Sequence, residues 1–116
     1  MIRIASMIAL ILSFAAAAAA QDGIIRIPEP EARKALVSRT DPEYPAMARQ
    51  MHLSGRVIVD IYIDEDGKVE DAKPVNGNAL LSSAAVNAVK RWKFSPIAPG
   101  GTPKKVVTAM AFDFKL

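Results

Sequence analysis

At 116 residues the chain has room for one domain. Its formal net charge of +3 is too small to imply a nucleic-acid partner. With no Cys and one His it lacks a thiol nucleophile, a disulfide framework and an evident metal-ligand set, so no metal or other cofactor is expected.

Residues 1–20 have the three-part pattern of a secretory signal: Arg3, the apolar run Ile4–Phe14, then six small residues, Ala15–Ala20, before polar Gln21-Asp22. Cleavage near Ala20 leaves 14 basic against 12 acidic residues, a balance of +2. The competing reading is a retained anchor. The 17 residues from Ile4 to Ala20 sit at the lower edge of bilayer-spanning length, and Ala is only weakly apolar. No Cys follows the signal, which excludes lipid attachment there.

Residues 21–40 carry Pro28, Pro30 and mixed charge, and read as a linker or arm with room for one or two helical turns between Glu31 and Val37. The domain is expected over 41–116. Asp41-Pro42-Glu43-Tyr44-Pro45 is stiff and extended, because each Pro fixes its own φ and drives the residue before it out of the helical region. Pro45 suits a helix start, and Met47, Ala48 and Met51 give the following turn an apolar side.

Arg56–Ile63 alternates, with Val57, Val59, Ile61 and Ile63 on one face. Asp64-Glu65-Asp66-Gly67 predicts a tight turn, and Lys68–Val75 a return strand of poor alternation that, with Pro74, ends near an edge or twists off. After Asn76-Gly77-Asn78, Ala79–Trp92 predicts the main helix, with Leu81, Ala85, Ala88 and Trp92 on one stripe and Lys90 and Arg91 in its last turn. Phe94 and Pro96 are expected to fold back on it. Beyond the loop Pro99–Pro103, Val106–Lys115 is a last alternating strand. The order predicts an α+β fold. A three-stranded antiparallel sheet carries one main helix on one face and a short N-terminal helix, and the last strand lies at an edge with free backbone groups.

Several tempting sites dissolve on inspection. If Gly67 took the sixth place of a calcium loop, Tyr62 and Lys73 would stand where acidic ligands belong. His52 has no partner set, and Ser82-Ser83 has no evident base, so no acid–base or nucleophilic constellation assembles and an enzyme is not expected. Trp92, Met47 and Met51 read as core, and Tyr44 divides between packing and partner contact.

Taken together, Tyr44-Pro45, Ala48, Gly55-Arg56-Val57, Val59, Ile61, Ile63, Asp66-Gly67-Lys68-Val69, Ala84-Ala85, Ala88-Val89, Trp92, Phe94, Pro96 and Phe112-Asp113-Phe114 resemble the C-terminal domain of the TonB energy-transducer family over about residues 38–116. The resemblance implies a periplasmic module that takes up a short extended peptide from TonB-dependent outer-membrane transporters, as an added strand on the edge of its last strand. It also implies an inner-membrane proton-driven motor as a further partner, and contacts with the transporter from the segment just before Tyr44-Pro45. On that basis Asp41, Pro42, Tyr44 and Pro45 are candidate partner-binding residues. From the edge itself come Val107, Ala109 and Ala111, whose small side chains admit a second chain, and Lys104 and Lys105, placed to steer an acidic peptide. The alternative is a soluble periplasmic interaction module uncoupled from any motor, a homodimer through the same edge included. Retention of the N-terminus would instead leave the domain anchored in the inner membrane and facing the periplasm.

Overall fold

The computed structural model describes residues 23–116. The signal-or-anchor segment 1–20 lies outside them, and among the described residues no helix is long and apolar enough to cross a membrane. The elements are β1 (Ile24–Arg26), α1 (Glu29–Lys34), β2 (Leu36–Ser38), α2 (Ala46–Gln50), β3 (Gly55–Ile63), β4 (Val69–Asn76), α3 (Ala79–Val89), β5 (Lys93–Phe94) and β6 (Lys105–Phe114).

The α+β class is as expected, with the main helix packed against β3 and β4. The strand count is larger. The main sheet has four strands in the order β1-β6-β3-β4, and β2 and β5 form a second, two-stranded ribbon. Residues 23–40, read from sequence as a linker or arm, thus carry three elements and two core side chains, Ile27 and Ala32.

The centre of the sheet follows from period-two burial. Val57, Val59, Ile61 and Ile63 of β3 are all buried. Antiparallel pairing sets them opposite Phe112, Met110, Thr108 and Val106 of β6. A shift of one residue would turn both apolar rows to solvent, so the register is fixed by burial. The β3–β4 turn is tied by the Asp64 carboxylate, which accepts from the N–H groups of Asp66 and Lys68 (both 2.9 Å). Gly67 has φ +91° there, and a Cβ would run into the Phe94 carbonyl. Pro74 stands on β4, the edge strand, beside an irregularity in the register.

Asn78 caps α3, accepting from Leu80 (2.9 Å) and Leu81 (3.4 Å). The helix buries Leu81, Ala85, Ala88 and Val89. It stops at Val89 rather than reaching Trp92, so Lys90 is its C-cap and Arg91 lies beyond it. Trp92 then leaves the helical path to donate its indole N–H to the Thr40 carbonyl (2.7 Å). Phe94 folds back as expected and is buried; Pro96 stays exposed.

Candidate interaction site

The outer side of β6 is half closed. β1 runs parallel to its first part, with Ile24, Ile25 and Arg26 opposite Lys105, Val106 and Val107. The Ile27 N–H donates to the Val107 carbonyl (3.0 Å). That bond fixes the phase of the strand. Backbone groups alternate direction along a strand, so those of Val107, Ala109, Ala111 and Asp113 turn away from β3. Among the described residues, the outward groups of the last three have no backbone partner.

The last strand is therefore not a free border over its whole length, as the sequence had suggested. Lys105 and Val107 are closed by β1, because three extended residues, too few to show a period, find in β6 the partner that completes their hydrogen bonds.

The open half borders a cleft of about 460 Å³ lined by Ala111, Phe112, Asp113 and Phe114 of β6, by Lys115 just beyond it and, across it, by Arg33, Arg39, Asp41, Pro42, Tyr44 and Trp92. The segment Arg39–Tyr44 is held at two points. Thr40 receives the Trp92 indole. The Tyr44 hydroxyl donates to the Leu53 carbonyl, its ring meets Phe114 edge-on at 5.6 Å, and the Arg49 guanidinium lies 5.3 Å from the ring centre. Tyr44 is thus both packing and wall. Pro45 precedes α2 as its N-cap, one place earlier than the sequence suggested, and its carbonyl accepts from Arg49 (3.0 Å).

Trp92 is buried and meets Phe112 edge-on at 5.6 Å, so the floor of the cleft is continuous with the core. Asp41 is exposed and paired with Arg39 (2.7 Å), and Arg33 is paired with Glu29 (2.7 Å). Asp41 also lines a second cleft, of about 510 Å³, against α3. Asp113 binds Arg56 through both carboxylate oxygens (2.8 and 3.2 Å). These hydrogen bonds hold its carboxyl below the usual carboxylate range and raise the Arg56 guanidinium further.

The structure therefore brings Asp41, Pro42, Tyr44 and Ala111 to one cleft, while Ala109 lies between it and the paired part of β6. It does not bring Lys104 and Lys105 there. Eight residues separate Lys105 from Asp113 along β6, about 27 Å at the usual rise. The Lys105 ammonium faces Glu70 (3.3 Å), and the Lys104 N–H is bonded to Ile97 (3.0 Å). The two lysines thus stand at the far end of β6 from the cleft. The cations at the cleft are Arg33, Arg39 and Lys115, which no periodicity in the sequence singles out.

Residues 40–116 match the family model described as Gram-negative bacterial TonB protein C-terminal. Similar curated proteins include Protein TonB of Vibrio cholerae (34% identical, covering 84% of this chain and 41% of that protein) and Protein tonB2 of Pseudomonas aeruginosa (32%, covering 75% and 33%). Protein TonB of Escherichia coli is 35% identical over 55% of this chain and 28% of its own length. The chain spans less than half the length of these relatives. The solution NMR structure of the Pseudomonas aeruginosa TonB C-terminal domain superposes with a TM-score of 0.58 at 26% identity, over 70% of this chain and 84% of that one. Motif order, fold and family match agree, and the chain belongs to the TonB C-terminal family.

Proposed function

We propose that this domain binds an extended segment of a TonB-dependent outer-membrane transporter in the periplasm, by adding it as a strand to the open half of β6, and so supports energy-dependent transport across the outer membrane. It works as a binding module, not as an enzyme. The observation that carries the reading is the outward-facing backbone of Ala111 and Asp113, opening on a cleft whose far wall is Arg39, Pro42 and Tyr44. Main-chain bonds to the strand supply affinity whatever the sequence, and the cleft supplies choice among side chains. Apolar Phe112 and Phe114 share the core face of β6, so the edge is rigid before a partner arrives. The module is expected to be released by cleavage before Gln21. An intact mass beginning there supports a free periplasmic species; an uncleaved membrane-bound species supports an anchored one, coupled to an inner-membrane motor.

Substituting Pro at Ala111 removes an outward N–H and leaves the β3 ladder untouched, because Ala111 makes none of its bonds to β3. Calorimetric titration with a synthetic peptide copying the periplasmic N-terminal segment of a transporter should show binding to the parent and a loss of at least about tenfold in Ala111→Pro, one to two hydrogen bonds' worth, at unchanged circular dichroism. Unchanged affinity would refute strand addition at this edge.

A further inference from the structure

We propose that Ile24–Arg26 is a built-in occupant of the binding edge, held weakly enough for a partner strand to displace it and so gain the whole of β6. This role rests on the strand-addition reading above and adds its regulation.

Occupied and open halves belong to one border. The outward backbone groups of Lys105 and Val107, which meet β1, are in phase with those of Ala109, Ala111 and Asp113, which have no backbone partner among the described residues. A partner strand that extends beyond the cleft along β6 therefore meets β1 in its own lane.

What holds β1 is slight. It has three residues in a parallel pairing, the less stable kind. Ile24 and Ile25 keep 44% and 38% of their surface in water. By contrast Ile27 is 5% exposed and Ala32 is fully buried, so the chain is pinned just beyond the strand and β1 can swing from that point while α1 stays put. Segments with few buried apolar contacts occupy the low end of local stability.

The latch is electrostatic. Arg26 reaches across β6 to Asp60 of β3, with two bonds of 3.3 and 3.1 Å, and its side chain is mostly exposed. A partner bearing a cation at the corresponding position would meet the same carboxylate, which makes Asp60 the recognition group for an extended segment of aliphatic residues with one basic residue among them.

The absence of Cys from the sequence permits a direct test. Ile24 and Lys105 are paired across the ladder. Neighbouring strands lie about 4.8 Å apart, within the reach of a disulfide. In the variant Ile24→Cys/Lys105→Cys, oxidation locks β1 and reduction frees it. Two labelled probes are titrated against both forms and against Arg26→Glu: a peptide copying Gly23–Pro28, and the transporter peptide used above. Both are expected to bind the reduced form; on oxidation the Gly23–Pro28 peptide, which needs the lane of β1, should lose its site, and the transporter peptide, left with the open half alone, should lose at least about tenfold in affinity, one to two hydrogen bonds' worth. Arg26→Glu should tighten both by up to about fivefold, the weight of one exposed ion pair. Equal affinity in the locked and free forms overturns the occupant role and leaves strand addition standing. Failure of the Gly23–Pro28 peptide to bind any form overturns it as well. Lock-sensitive binding of that peptide, with no transporter peptide bound by any form, supports the displaceable strand and refutes the transporter as partner.

Discussion

Trp92→Phe tests whether the far wall of the cleft is positioned by the core. The indole is 3% exposed, and its N–H is the donor that holds the Thr40 carbonyl at 2.7 Å. Phe keeps an aromatic ring against Phe112 but removes that donor and leaves a void of about 40 Å³, worth ~1 kcal/mol at the usual cavity coefficient. The carbonyl left without its partner adds about 1–2 kcal/mol. The total, about 2–3 kcal/mol, should lower the melting temperature by roughly 10–20 °C in a domain of this size. Thr40 is one of the two fixed points of the segment Arg39–Tyr44, so its release should also weaken binding of the transporter peptide about tenfold, the cost of re-ordering roughly one residue of backbone. Val89→Ala is the control. Val89 is fully buried in α3 and lines neither cleft, so its loss should destabilise by about 2 kcal/mol with binding unchanged. Urea unfolding followed by circular dichroism reads stability, and calorimetry reads affinity. If Trp92→Phe and Val89→Ala alter affinity equally, the tryptophan does not position the wall and the reasoning fails.

Thr108 is fully buried, and its Oγ1 has no hydrogen-bond partner among the described residues. Thr108→Val should therefore stabilise the domain by about 1–2 kcal/mol, raising the urea midpoint at constant slope; a destabilised variant would show that the hydroxyl is satisfied after all. The Asp113 carboxyl, depressed chiefly by its hydrogen bonds to Arg56, should titrate by NMR below the normal range, and Arg56→Gln should return its midpoint upward. Because the folded-state value is the lower one, this pair contributes above the unfolded value of about 4 and the contribution is lost as pH falls through the folded value. The parent and Arg56→Gln should accordingly differ in stability near neutrality and converge in acid, and a constant difference across that range would refute the assignment.

The sheet centre was legible because the apolar residues of β3 alternate and are buried with a period of two, and the helix because Asn78 and the alanine stripe mark its start and its face. What escaped the sequence was β1, β2 and β5; the one or two helical turns expected between Glu31 and Val37 appear as α1, starting two residues earlier. Strands of three residues carry no period, and the partner of Ile24 lies at Lys105, so nothing local announces the pairing. The same gap explains the error over the edge. The alternation of Val106–Phe114 identifies a strand, but it does not say which of its ends meets another segment. Lys104-Lys105 look available in one dimension, yet Glu70 reaches Lys105 across β3, a neighbour set by strand order rather than by spacing. Pro42 and Tyr44 are singled out by the family resemblance and Ala111 by the alternation of the last strand; the cleft that they share is visible only in three dimensions. Arg33 reaches the cleft on α1, which packs against β6, and Arg39 follows β2, which pairs with β5.

A binding edge sets two requirements against each other: backbone groups left open for a partner are also open to every copy of the same chain. The β4 border meets this with Pro74 and charged Glu70, Asp71 and Lys73, while the β6 border has small Ala109 and Ala111 on its open half, no Pro, and one charge, Asp113, that is already paired with Arg56. A short, charge-latched strand of its own over the other half shortens the exposed ladder without closing the cleft. If that is what β1 does, weakening it should have two linked effects. Sedimentation velocity should find Arg26→Glu self-associating at concentrations where the parent stays monomeric, and the locked Ile24→Cys/Lys105→Cys form should resist association even beyond the parent. Salt should move the parent toward the variant, since the Arg26–Asp60 pair is exposed and screened. A variant that binds peptide more tightly yet never self-associates would separate the two requirements, and would place the protection against self-pairing in the cleft wall of Arg39, Pro42 and Tyr44 rather than in the strand.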